Sequence, residues 1–164
     1  MIESQPMKAG AGGNWKRFEE KFDANIIKQT SGVSCVSAVG EMLLKSHEIY
    51  VSQHKIRDII GEPASLEMLA KALNEFDISD SGQQWYGGFY LPNRLDFVLR
   101  KQNFGVVLQE PLTMGHAVFV EGVDEKGLVI IKDTFDQTTY KMTKADFSNF
   151  WGGGVIFYAI SSIG

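Results

Sequence analysis

The stretch Gln29-Thr30-Ser31-Gly32-Val33-Ser34-Cys35-Val36-Ser37-Ala38-Val39-Gly40-Glu41-Met42-Leu43 passes from a small, polar loop into an amphipathic helix. Ser34 is the expected cap. Val36, Val39, Met42 and Leu43 recur along one face of a helix that runs from 35 to about 46. The only cysteine of the chain therefore sits at a helix start. There the unpaired N–H groups and the dipole of the first turn favour thiolate over thiol.

Outward from this helix, the next 60 or so residues keep a helical period. Ser52 can cap a second helix with Ile56, Ile59 and Ile60 inward and Gly61 as its stop. Ser65 can cap a third, carrying Leu66, Leu69, Leu73 and Phe76. Asn93 and Asp96 resemble a capping pair for a fourth, through Leu95, Val98 and Leu99. After Gln102 the pattern changes to short β-branched and aromatic runs over 104–108, 116–123, 128–133, 138–142 and 155–160. Asp124-Glu125-Lys126-Gly127 reads as a hairpin loop with glycine where positive φ is needed. A short helix over 143–150, capped by Thr143, interrupts the strands. Helices first and antiparallel strands second indicate an α+β fold, with an N-terminal helical half packed on a C-terminal sheet.

Residues 1–13 end in Ala9-Gly10-Ala11-Gly12-Gly13 and read as a flexible Gly-rich leader, leaving 14–164 as one domain. The leader has no basic and apolar regions of a signal peptide. The uncharged stretch 147–164 holds Asn149, three consecutive glycines and two serines, so it reads as a turn and a buried strand, not a membrane span. A chain of 164 residues buries roughly two-thirds of its unfolded surface without disulfide or metal support. Sixteen Lys and Arg against 20 Asp and Glu give a net charge of -4. That balance provides no electrostatic footprint for nucleic acid or an anionic membrane. A single cysteine excludes an internal disulfide and a Cys-rich zinc site, and it fits a reducing cytoplasm. An exported form would travel as part of a larger protein.

A thiolate needs a proton partner. Three histidines are available. His47 and His54 flank the start of the second helix and read as solvated surface. His116 follows Gly115 at the head of the most apolar strand, facing the same side as Val118 and Val120. It reads either as a core histidine satisfied by a carbonyl or as a general base at a strand end. An imidazole base needs an acceptor on its other nitrogen. Asp133 ends the next strand, across the hairpin, with Asp136 as a nearby competitor. Gln29 lies six residues before Cys35, where its side-chain amide and the Cys35 N–H can stabilise an oxyanion.

The order Gln29, Cys35, His116, Asp133, with helices before strands, resembles the papain-like cysteine peptidase superfamily over roughly residues 25 to 160. The short Cys-to-His interval looks more like the bacteriocin-processing peptidases, which cut after double-glycine leaders. Their pattern appears here as Gln29, Cys35, Ala38, Met42, Gly115-His116, Asp133 and Phe147…Trp151-Gly152, with Val36 standing where that family commonly has glycine. The chain is also similar to the papain-fold toxin domains of bacterial polymorphic toxins.

This resemblance implies a cysteine endopeptidase acting on protein or peptide substrates, with small residues or Gly-Gly before the cut. No metal or cofactor is required. The segment 83–90, rich in aromatics and glycine, would either line a narrow substrate tunnel or pack between the two halves. The same constellation serves glutamine deamidases and transglutaminases, which keep the thiol chemistry and change the substrate. A toxin of this kind implies a cognate immunity protein as partner.

Overall fold

The structure is a computed structural model describing residues 15–78, 82–109 and 115–160. The expected leader over 1–13 lies outside them. Helix α1 (Cys35–Lys45) follows Ser34, but the Ser34 hydroxyl does not cap it. That Oγ turns back into the loop instead, accepting from the Thr30 and Ser31 N–H groups, each at 3.0 Å. Helix α2 (Gln53–Ile60) is capped by Ser52 and stopped by Gly61 at φ 81°. Helix α3 (Leu66–Phe76) is capped by Ser65, which accepts from the Met68 N–H. Asn93 is not a cap: it lies inside a single 3-10 turn, Pro92–Arg94, that runs directly into the short helix α4 (Leu95–Leu99). Helix α5 (Lys144–Phe150) is capped by Thr143 as expected.

Among the described residues, seven antiparallel strands form one sheet: β1 (Phe18–Phe22), β2 (Gln83–Phe89), β3 (Phe104–Leu108), β4 (His116–Val123), β5 (Val129–Asp133), β6 (Thr138–Met142) and β7 (Trp151–Ile160). Their order is β1-β6-β5-β4-β3-β7-β2. The hairpin loop between β4 and β5 closes on Gly127 at φ 83°. The α+β reading holds, with two strands the sequence pattern concealed. β1 is a polar edge strand whose residues are mostly exposed, so it shows no apolar alternation. β2 is masked by two glycines, and the first has a steric reason. A Cβ on Gly87 would lie 2.2 Å from the Leu66 carbonyl oxygen, because the start of α3 rests on this strand.

The sheet separates two apolar layers. On one face α1, α2 and α3 pack with Trp85, Ala117, Phe119 and Ile156. On the other, Trp15, Val98, Leu99 and Phe147 cover Val118, Val120, Ile131 and Tyr140. Residues 83–90 thus mainly pair and pack. Trp85 is buried under the helices, and of this segment Phe89 reaches the cleft described below.

His47 departs from its expected role as solvated surface. Its ring packs against Trp85 and Tyr158, with centroids 4.8 and 4.4 Å away, and its Nδ1 lies 2.8 Å from Asp77 Oδ2. His54 is exposed and contacts Arg57. Among the described residues no helix is long and apolar enough to cross a membrane.

Candidate active site

Strand β4 begins at His116, and the approach to it requires glycine. A Cβ on Gly115 would sit 2.1 Å from Val107 Cγ1 on the paired strand. His116 is fully buried, and its alternation with Val118 and Val120 turns it away from the helical layer. Cys35 comes from the opposite side, at the first turn of α1. The two meet at the head of β4, where the Ala117 N–H donates to Cys35 Sγ at 3.4 Å.

His116 Nε2 lies 2.7 Å from Asp133 Oδ1. Its Nδ1 is buried and has no hydrogen-bond partner within the usual geometry among the described residues. Cys35 nevertheless lies close enough to favour the charged ring. Burial opposes protonation of the imidazole, but the Asp133 carboxylate and Cys35 outweigh it and hold the ring well above its ordinary value. Burial likewise opposes ionisation of Asp133. The neighbouring imidazole, the Phe135 N–H and Arg17 overcome this and lower its pKa.

The pairing of His116 with Asp133 depends on an irregularity. At the turn end of the hairpin Val123 faces Val129 and Gly122 faces Ile130. That frame, continued, sets Asp133 opposite Phe119, on the helical face. Instead Val120 faces Ile131 and Phe119 faces Lys132, with Glu121 as the extra residue. The bulge moves Asp133 to the His116 face, within diagonal reach of the ring. Asp136, the competitor, is elsewhere: it binds Arg17 and the Thr138 hydroxyl.

Gln29 is buried beside the same strand end. Its backbone N–H donates to the Thr134 carbonyl at 2.8 Å, and its Oε1 accepts from the Thr134 hydroxyl at 2.9 Å. Its Nε2 donates to the Ser31 carbonyl at 2.9 Å, within the loop that leads to Cys35. The four candidates are therefore gathered by direct contact or through one adjacent residue.

Sequence reasoning missed a second set of groups around Asp133. Its Oδ2 accepts from the Tyr140 hydroxyl at 2.9 Å and lies 3.6 Å from Arg17 Nη2. The Trp15 indole N–H donates to the Tyr140 oxygen at 2.9 Å. Burial and the Asp133 charge push the Tyr140 phenol well above its usual value, so it remains a donor. Tyr140 carried a usable signal: alternation along 138–142 turns it inward with Met142, and a buried hydroxyl needs a partner. Trp15 and Arg17, in a polar segment, carried none.

A cleft of about 190 Å³ opens beside Cys35. Its wall is mostly apolar, with Val36, Leu66, Phe89 and Val107, and the small residues Gly115, Ala117 and Gly154 also line it.

The family model described as the peptidase C39 family matches residues 23–162. Cysteine protease effector 1 of Escherichia coli O1:K1:H7 is 35% identical over 158 residues, covering 95% of this chain and 31% of that protein. The chain thus spans about a third of the length of the curated relative it matches. Among solved structures, the peptidase domain of Streptococcus ComA superposes with a TM-score of 0.67 at 19% identity, covering 81% of this chain and 96% of that domain. The peptidase domain of Streptococcus mutans ComA gives 0.58 at 17% identity, covering 82% and 98%. These two likenesses concern the fold.

Proposed function

The chain belongs to the peptidase C39 family, and from that premise we propose that it is a cysteine endopeptidase with Cys35 as nucleophile and His116 as its proton partner. The observation that carries the assignment is the buried His116–Asp133 contact at 2.7 Å, beside a thiol that accepts from the N–H of the next residue on β4.

In this reading the Cys35 proton passes to His116 Nδ1, and the thiolate adds to the scissile carbonyl carbon. The negative charge that develops on the carbonyl oxygen is met by the Cys35 N–H and the Gln29 amide. Ser34 supports this arrangement, since its hydroxyl is engaged by the loop and leaves the first turn of α1 without a side-chain cap. Collapse breaks the C–N bond. His116 gives its proton to the leaving amine, and a thioester remains on Cys35. Water then loses a proton to His116 as it attacks the thioester, releasing the carboxylate and restoring the thiol. Asp133 holds the ring in one orientation and stabilises its charged form.

The lining of the cleft by Gly115, Ala117 and Gly154 beside the apolar Leu66 and Val107 supports a substrate with small residues, such as Gly-Gly, ahead of the cut. The relative named as an effector supports deployment of this domain within a longer, delivered antagonism toxin. A producer of such a toxin requires an immunity protein that blocks it.

Incubation of the protein with a peptide containing Gly-Gly tests the assignment. Two fragments should appear with the wild-type chain and none with Cys35→Ala, which should keep the same circular dichroism spectrum. Equal cleavage by both proteins would exclude Cys35 as nucleophile. Ammonia release from glutamine-containing proteins, with no backbone scission, would replace peptidase by deamidase chemistry.

A further inference from the structure

Trp15, Arg17 and strand β1 precede the span 23–162 that matches the family model. Two of their side chains nonetheless join the network around His116 and Asp133. We propose that Arg17 and Tyr140, backed by Trp15, are positioning residues that lock the Asp133 carboxylate against His116, making the N-terminal segment a working part of the active site. The inference rests on the assignment of His116 and Asp133 made above.

Each Asp133 oxygen has two partners, and the two sets are distinct. Oδ1 meets His116 Nε2 at 2.7 Å and accepts from the Phe135 N–H at 3.0 Å. Oδ2 accepts from the Tyr140 hydroxyl at 2.9 Å and faces Arg17 at 3.6 Å. Rotation of the carboxylate would break contacts at both oxygens, so its orientation towards the imidazole is fixed. The Trp15 indole also donates to the Tyr140 oxygen, and the Tyr140 hydroxyl donates in turn to the carboxylate, where the series ends. In a buried site each bond in such a series polarises the next.

The positions of the three side chains are themselves constrained. The Arg17 guanidinium lies over the Tyr140 ring at 4.3 Å. Trp15 stacks on the His116 ring, 6.3 Å between centroids and 22° between planes, and Phe150 packs behind it at 5.5 Å. The segment thus contacts both members of the pair: Trp15 covers the imidazole and Arg17 neutralises the carboxylate. Among the described residues, the titratable and charged groups at the pair are Cys35 from α1, Tyr140 from β6 and Arg17, which also donates to Glu20 and Asp136.

A purely structural network would stabilise the fold without changing the thiol. A positioning network changes the protonation behaviour of the imidazole, and through it Cys35. Because the chain has one cysteine, iodoacetamide reports on Cys35 alone. The alkylation rate should be measured between pH 4 and 9, on the order of the range that spans both partners' reference values. For Arg17→Gln and Tyr140→Phe the profile should move to higher pH, with the rate near pH 6 lowered about tenfold, the equivalent of one pKa unit. Trp15→Phe keeps a ring over His116 but loses the donor, and should shift the profile less, in the same direction. Arg17→Lys should recover part of the Gln loss.

Near-UV circular dichroism selects the folded variants for comparison. Folded Arg17→Gln and Tyr140→Phe with wild-type profiles, alongside a shifted Asp133→Asn profile, would overturn the positioning role. Wild-type profiles for Asp133→Asn and His116→Gln would instead remove the underlying assignment, and the positioning role with it.

Discussion

His116 and Asp133 occupy the same face of the sheet because β4 carries one extra residue, Glu121, between its pairing frames with β5. A straight hairpin would turn Asp133 towards α1 and leave the imidazole without its acceptor. The bulge therefore sets the geometry of the candidate pair: one residue decides which side of the sheet the carboxylate reaches.

Replacing the carboxylate tests that coupling. Asp133→Ala should lower kcat/KM about 100-fold, within the range for loss of oriented acid–base assistance. It should also destabilise the fold by about 3 kcal/mol, since the imidazole, Tyr140 and Arg17 lose a buried ionic acceptor. Steady-state kinetics and urea unfolding measure the two effects separately. An unaltered kcat/KM in the folded variant would count against the role of Asp133.

The buried pair gives stability a particular dependence on pH. The His116 pKa is raised from 6.5 to about 10. Below 6.5 the unfolded imidazole is charged as well, so the contribution of the pair is complete there. As pH rises from 6.5 towards 10 the folded protein alone keeps the proton, and the stabilisation is lost. Asp133 has the opposite sign: its pKa lies below 3.8, and its contribution is lost as pH falls through that lowered value. The urea midpoint should decline from pH 6.5 upwards in the wild-type chain and be flatter in His116→Gln, where the group that binds the extra proton is gone.

The oxyanion role proposed for Gln29 predicts separate effects on binding and chemistry. Gln29→Ala removes the amide donor assigned to the oxyanion, and kcat should fall about 100-fold with little change in KM. Loss of the acceptor for the Thr134 hydroxyl should cost about 1 kcal/mol in thermal or urea unfolding. A rise in KM alone would instead make Gln29 a substrate-binding residue.

Gly115→Ala introduces a Cβ where Val107 Cγ1 already sits, at 2.1 Å. The Val107 side chain, or the β3–β4 pair, must shift beside His116, so the variant should lose about 2 kcal/mol, together with activity. The double variant Gly115→Ala/Val107→Ala removes the clashing methyl and should recover much of both. A coupling energy near zero in this cycle, measured by urea unfolding, would refute the steric account.

The order of elements in the chain followed directly from local pattern. Helical periods before residue 77 and β-branched runs after 103 established α+β, and the serine and threonine caps at 52, 65 and 143 set helix starts. The Gln29, Cys35, His116, Asp133 order identified the chemistry to look for, because thiol, imidazole and acceptor are recognisable as residue types. Other features were outside the reach of pattern. A polar edge strand such as β1 lacks an apolar period, and the glycines of β2 show their purpose only when α3 lies against Gly87. The bulge at Glu121 has no marker in residue type, yet it selects the face on which Asp133 stands. Trp15 and Arg17 lie more than 100 residues from Asp133 in sequence, and folding β1 against β6 brings them to the site. Residue chemistry is local and can be read in one dimension, whereas the partners of a buried carboxylate are set by strand register and long-range pairing.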